Sequence, residues 1–358
     1  MSLLLVLWWS SLVMAAAALG WMIGLIAARL RRQRRDDARA RDRARVRAAC
    51  LAIIGGAPEA AAQLGSVKHR ARLLAEALLE FGALVRGAER DRLIESYIVF
   101  AVDERLRARI FKGSRTGRLA AIDALAWFSS EATVKALRRV LAQTRDAELK
   151  AAAIRALVEL DAPPEIGPLL RDLDRDQTAD SLVYLPVFRR LIAGEPDAAL
   201  IAFRDPDATP TARALLADGL AAAGDYRVLP QLVSAAGDSD PGVRTAVVRA
   251  LGVLAHPAAI EPLRASLTDD DWEVRAAACE ALSRIGAATV LDDVAARLGD
   301  PVWWVRFQSA EALGRSGAAG LEALRRAAGA ADDRVRRAAS LAMAEKGLPM
   351  IVAEATPA

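Results

Sequence analysis

The sequence predicts an all-α chain: an α-solenoid of stacked helical hairpins preceded by one transmembrane helix. Three observations predict it. Asp207 and Arg213, Asp238 and Arg244, Asp269 and Arg275, and Asp300 and Arg306 share one offset within each pair, and the step from one pair to the next is constant. A strict period of this kind marks units that cannot bury an apolar face alone and so stack on their neighbours. Ala, Arg, Leu, Asp and Glu dominate, Tyr and Phe number only three and seven, and runs of β-branched residues are scarce, which favours helix almost throughout. Finally, Leu3 to Ala28 carries no charged side chain and is followed at once by Arg29, Arg31, Arg32, Arg34 and Arg35. A chain of 358 residues would ordinarily hold about two domains, but in a repeat array length counts units.

Residues 1–28 are the expected transmembrane helix. The uncharged run from Leu3 to Ala28 would span about 39 Å as helix, enough to cross a hydrocarbon core of roughly 30 Å with tilt. A cleaved signal peptide is the rival reading, but its leading region should be basic, and here only Met1 and Ser2 precede the apolar run. Arginine lies only on the C-terminal flank, so the positive-inside rule places the N-terminus outside and the rest in the cytoplasm of a single-pass inner (plasma) membrane protein. Ala16, Gly20, Gly24 and Ala28 fall at every fourth position, a stripe along which a second membrane helix could approach for self-association or which could simply face lipid.

Residues 29–47 form a basic juxtamembrane arm with ten Arg against Asp36, Asp37 and Asp42. The arm therefore accounts for the formal charge of +4 and leaves the remainder at about −3. A mildly negative solenoid is a poor nucleic-acid binder, so the basic pI reports the arm. Anionic lipid head groups could touch it, although its topological role already explains it. Residues 48–115 are expected to be a non-repetitive helical cap of two or three longer helices, 116–347 the repeat solenoid, and 348–358 a frayed tail.

Within the repeats, Val243, Val274, Val305 and Val335 are each followed by Arg and then, seven and eight positions on, by Ala250-Leu251, Ala281-Leu282, Ala312-Leu313 and Ala342-Met343. Offsets of three, four, seven and eight lie on one helical face, which must be the buried one. Asp240-Pro241 and Asp300-Pro301 read as N-cap and N1 of first helices, and a shorter second helix follows, for instance over 257–267. Upstream, Ala212-Arg213 with Gly219-Leu220, Leu149-Lys150 with Ala156-Leu157, and Gly117-Arg118 with Ala124-Leu125 continue the register. The stretch 177–203 fits poorly, and Pro186 within it predicts a kinked, degenerate unit.

These residues resemble the HEAT repeat, especially the short HEAT-like units of the phycobilin-lyase type, over roughly 117–347 and most strongly over 207–346. The resemblance implies that Asp207, Asp238, Asp269 and Asp300 pair with Arg213, Arg244, Arg275 and Arg306 in a ladder between neighbouring units, structural and not catalytic. Ala330 replaces the Asp of the last unit, so the ladder should end there. An arginine fork suits such a role because it meets several oxygens at once.

Catalytic chemistry finds little support. His69 and His256 are the only histidines, far apart and without recurring carboxylate partners; the run Asp269-Asp270-Asp271 lacks the spacing and glycine of a calcium loop. Cys50 and Cys279 read as small buried hydrophobes. No enzyme, cofactor or metal is expected; a bilin lyase-like enzyme is the alternative that the resemblance implies.

Trp303, Trp304 and Phe307 cluster at one helix start, and Trp272 stands one repeat period before Trp303, which would put those two side by side in adjacent units. They fill gaps between units or form a ridge for a partner, Trp304 being the more exposed of the cluster. The expected function is that of a membrane-anchored, non-enzymatic scaffold binding a membrane-associated protein. By resemblance the client is a membrane enzyme complex, such as a glycosyltransferase of polysaccharide assembly.

Overall fold

The computed structural model describes the backbone of residues 2–66, 71–175, 182–286 and 288–347, with side chains at 2–7, 10–13, 15–18, 35 and 58 excepted. Among the described residues every regular element is helical. The chain divides into two compact units, Met1–Val140 and Leu141–Ala358.

In the first unit α1 (Ser2–Ile54) runs unbroken through both the apolar segment and the Arg-rich arm. The arm is therefore no separate element, because no Gly or Pro interrupts residues 25–54. The helix stops where Gly56 adopts a φ of 93°, a left-handed turn that glycine enters without steric cost. Its 53 residues correspond to roughly 80 Å. Among the described residues of α1, those buried lie in its last turns, Val46, Ala49, Cys50 and Ile53, the spacing that brings one helical face together.

Over 48–115, where two or three longer helices were expected, shorter ones follow: α2 (Ala62–Ser66), α3 (Ala71–Gly82), α4 (Ala88–Val99) and α5 (Val102–Arg109). Next come α6 (Arg115–Leu125) and α7 (Glu131–Gln143), the division between units falling inside α7. Tyr97 is the central peg of this unit. Its ring is fully buried and stacks on Phe128 at 6.4 Å, and its hydroxyl donates to the Leu74 carbonyl at 3.1 Å. Arg90 covers Trp127 at 4.4 Å, while Arg92 donates to the Ile54 carbonyl at 2.9 Å and so ties α4 to the end of α1. His69 lies outside the described residues.

The second unit begins with α8 (Ala147–Glu159), α9 (Ile166–Arg175), α10 (Tyr184–Gly194) and α11 (Pro196–Phe203). It continues with α12 (Pro210–Ala222), α13 (Leu229–Ala235), α14 (Pro241–Leu254), α15 (Ile260–Ser266), α16 (Trp272–Ile285) and α17 (Leu291–Ala296), and closes with α18 (Trp303–Arg315), α19 (Gly317–Ala328) and α20 (Asp333–Glu345). Successive first helices of the hairpins, α10, α12, α14, α16, α18 and α20, pack directly on one another, and each second helix packs against the first-helix layer. One hydrophobic core runs from Ala151 to Met343. The expected face is the buried one: Leu251, Leu282 and Leu313 are at most 2 % exposed, as are Val243, Val274 and Val305.

Small residues set the spacing of this layer. A methyl group on Gly252 would lie 2.8 Å from the Ala281 Cα, so α14 and α16 approach to backbone contact. Caps recur with the period as well: Thr209, Asp240, Asp271 and Asp332 accept from amides of the following turn, which satisfies donors that the helix itself leaves open. Two local expectations fail. Pro186 does not kink its helix, because α10 starts at Tyr184 and leaves Pro186 in the first turn, where no intrahelical donor is lost. Asp300-Pro301 is not a cap pair either, since α18 starts at Trp303 after Val302 and Asp300 serves another purpose. The expected frayed tail, 348–358, lies outside the described residues.

Candidate partner-docking site

The Asp/Arg periodicity builds a ladder along the turns that precede α14, α16 and α18. Arg244 meets Asp269 with both fork nitrogens, Nε to Oδ2 and Nη2 to Oδ1, each at 2.8 Å, while its Nη1 donates to the Asp238 carbonyl at 2.9 Å. Arg275 repeats this with Asp300 at 2.8 and 3.0 Å and with the Asp269 carbonyl at 2.9 Å. Arg213 meets Asp238 through Nη2 at 3.1 Å. Each carboxylate thus pairs with the arginine of the preceding unit, and the arginine of its own unit takes only the carbonyl. Asp207 stands outside the ladder for that reason, since the equivalent position of the preceding unit is Leu182.

Each ladder aspartate also accepts the amide two positions on, at 2.9 Å for Asp240, Asp271 and Val302. This second duty explains why Asp300 is not a helix cap. Burial works to raise the Asp269 and Asp300 carboxyls, but the Arg244 and Arg275 forks and the accepted amides prevail and hold both below the usual carboxylate range, as hydrogen bonds and opposite charge on an ionised carboxylate do. Arg244 and Arg275 are raised in turn, chiefly by their hydrogen bonds to Asp269 and Asp300.

The last arginine of the series differs. Arg306 keeps the carbonyl contacts, to Asp300 at 2.8 Å and Pro301 at 3.0 Å. Arg336 holds the Ala330 and Ala331 carbonyls in the same way, so Ala330 is the counterpart of Asp300. Among the described residues no carboxylate meets Arg306.

Beside this arginine the three aromatic residues form one cluster. Phe307 stacks on Trp303 at 5.5 Å and on Trp304 at 5.3 Å, and the two indoles lie 5.7 Å apart. Trp303 is 56 % exposed and Trp304 41 %, so the order of exposure is the reverse of the one expected, although both indoles stack on Phe307 alike. Trp272 is 39 % exposed and makes no ring contact among the described residues, so it does not extend the cluster. Between α18 and α20 opens a groove of about 320 Å³ that Trp303, Arg306 and Phe307 line from one side and Arg334, Arg337 and Leu341 from the other. Arg334, Arg337 and Leu341 escaped sequence reasoning because only the packing of α20 on α18 brings them to the groove.

The remaining expected site residues lie elsewhere. Gly20, Gly24 and Ala28 are exposed on α1, with no atom within 4 Å of where either glycine would carry a Cβ, and the Ala16 side chain lies outside the described residues. Among the described residues no helix is long and apolar enough to cross a membrane; most side chains of 2–18, the larger part of the expected span, are not among them. His256 is a turn residue whose Nδ1 accepts the Ala258 amide at 3.1 Å. Burial pushes the Cys50 and Cys279 thiols up to about 11 and about 12.

The family model of HEAT repeats matches residues 197–282 and 260–344, the same stretch that carries the ladder. Residues 197–344 are HEAT repeats. Among solved structures, an engineered protein is similar at 18 % identity and a TM-score of 0.35 over 84 % of this chain and 98 % of its own. Kap121p is similar at 16 % identity and a TM-score of 0.39 over 84 % of this chain, and the match spans 41 % of its length. A structure of Kap95p with RanGDP gives 11 % identity and a TM-score of 0.40, covering 84 % and 51 %. No curated protein matches the sequence.

Proposed function

We propose that this protein is a non-enzymatic scaffold that holds a partner protein against its HEAT repeats. The reading rests on the exposed Trp303–Trp304–Phe307 cluster beside the groove between α18 and α20. Indole rings gathered in solvent at the edge of an open groove are the side chains that anchor interfaces. Residues 3–28 anchor the scaffold in an inner (plasma) membrane as a single span, with the arginines from Arg29 onward on the cytoplasmic side together with the repeats. Anchoring raises the effective concentration of a membrane-bound client, which is why the partner is a membrane enzyme complex, such as one of polysaccharide assembly.

Purification of the full-length protein in mild detergent, with and without Trp303→Ala, tests the docking role. A stoichiometric co-purifying protein that the substitution removes supports it; a partner that the substitution leaves in place removes the cluster from the site. A reporter active only in the cytoplasm, fused after Ala358 in a bacterial host, checks the orientation, and an inactive reporter at normal expression overturns it.

A further inference from the structure

The open fork of Arg306 carries a more specific conclusion about the partner. In Arg244 and Arg275, Nη1 is engaged by carbonyls of the preceding turn while Nε and Nη2 close on a carboxylate at 2.8 to 3.0 Å. Arg306 has the first half of this arrangement, with Nη1 fixed at 2.8 Å from the Asp300 carbonyl. The second half is missing because Ala330 stands where the aspartate would be. The guanidinium is thus oriented by its main-chain contacts and presents the two nitrogens that its equivalents use for a carboxylate.

Two independent features point the same way. The cap position of α18 is Val302, where α12, α14, α16 and α20 have Thr209, Asp240, Asp271 and Asp332, so the first amides of this helix lack a side-chain acceptor. Arg334, at the start of α20, also borders the groove and has no side-chain partner among the described residues. Arg306 and Arg334 lie at the N-terminal ends of α18 and α20, where Arg337 is paired with Asp333 at 2.7 Å, and Glu311 and Glu345 lie toward the other end; the helix dipoles add to the positive field at the first end. The Trp303 and Phe307 rings flank that end.

We infer that the groove between α18 and α20 binds an acidic peptide segment of the partner, whose Asp, Glu or C-terminal carboxylate takes the place of the missing ladder aspartate on Arg306 while a neighbouring apolar side chain packs on Trp303 and Phe307. This inference rests on the scaffold reading above and names the chemistry of what the scaffold holds.

The decisive variant is Ala330→Asp, which supplies the ladder carboxylate from within the chain. The full-length protein in detergent is screened against an array of random heptapeptides with free and with amidated C-termini, and selected peptides are titrated by fluorescence anisotropy. Carboxylate-bearing peptides with an adjacent aromatic or aliphatic residue are expected, and Ala330→Asp and Arg306→Gln should each weaken them by on the order of tenfold or more. The thermal midpoint of Ala330→Asp should not fall, which separates blockade from unfolding. Peptides that depend on Trp303 but show no carboxylate preference, or that bind Ala330→Asp unchanged, overturn this inference and leave the docking reading standing. Selected peptides indifferent to both Trp303→Ala and Arg306→Gln overturn both. Peptides selected only after residues 348–358 are removed would assign the fork to the chain's own carboxylates and overturn the partner as its occupant.

Discussion

Helices α12, α14, α16 and α18 are joined by one contact used over and over, whereas α1 and α3 to α6 are joined by contacts each used once. In the repeats an arginine fork reaches the turn of the next unit, and an Ala-Leu or Gly-Leu pair seats each first helix on its neighbour. In the first unit Tyr97 donates to a single carbonyl, Arg92 ties down one helix end, and Arg90 covers one indole. Both regions have buried cores. They differ in whether a residue has equivalents, and therefore in whether its energetic role can be checked against copies of itself.

Loss of core volume is the strongest test of that equivalence. Leu282→Ala, at a position 2 % exposed, should cost about 2 to 5 kcal/mol. Leu251→Ala, one period earlier, should cost the same within about 1 kcal/mol, the usual spread among similar sites being larger. Denaturant titration of both variants checks this; a near-neutral Leu282→Ala would break the register on which the repeats are built.

A smaller effect is expected from the ladder. Asp300→Ala leaves Arg275, 11 % exposed, without its carboxylate and should cost about 3 kcal/mol near neutral pH. Because Asp269 and Asp300 are held below the usual carboxylate range when folded, their contribution is present above that range and is lost as pH falls through it toward the depressed folded values. Thermal melts followed from neutral pH into the acid range should therefore fall less steeply for Asp300→Ala than for the parent chain. Parallel curves would mean that this pair contributes nothing to acid lability.

The smallest effect belongs to the region without repeats. Tyr97→Phe removes the 3.1 Å bond to Leu74 while keeping the ring on Phe128, and should cost about 1 kcal/mol. Equilibrium unfolding measures it, and a cost above that of Asp300→Ala would reverse the ranking of the two regions.

The same difference explains what could be read from the sequence. Val243, Leu251 and their copies announced a buried face because repetition of one pattern across four units leaves little room for coincidence, and the pairing of aspartates with arginines was visible in the same way. Which arginine each aspartate meets was not visible, since pairing within a unit and pairing with the unit before are equally periodic and only three-dimensional stacking separates them. Asp300-Pro301 imitated the Asp240-Pro241 cap while standing two positions earlier in its unit, and Val302 at the true cap gave no positive signal. The aromatic cluster was legible as residues, but the greater exposure of Trp303 over Trp304 was not, since adjacent positions of the same residue type differ only in their three-dimensional surroundings. The groove was least legible of all, because its two walls come from α18 and α20 and only their packing brings them together.

The ladder also bears on how such a chain lengthens or shortens over generations. Excision of residues 240–270, one whole period, would set Arg275 after Asp238 at the offset that Arg244 now has, and would leave Arg213 and Arg275 each with a ladder carboxylate in the following unit. Insertion of a duplicated period preserves the same spacing, whereas a gain or loss of another length disturbs the one fork that spans it and leaves the forks on either side at their own spacing. Copy number is thus free to drift in steps of one whole period, and the open fork stays with Arg306 because Ala330 follows it.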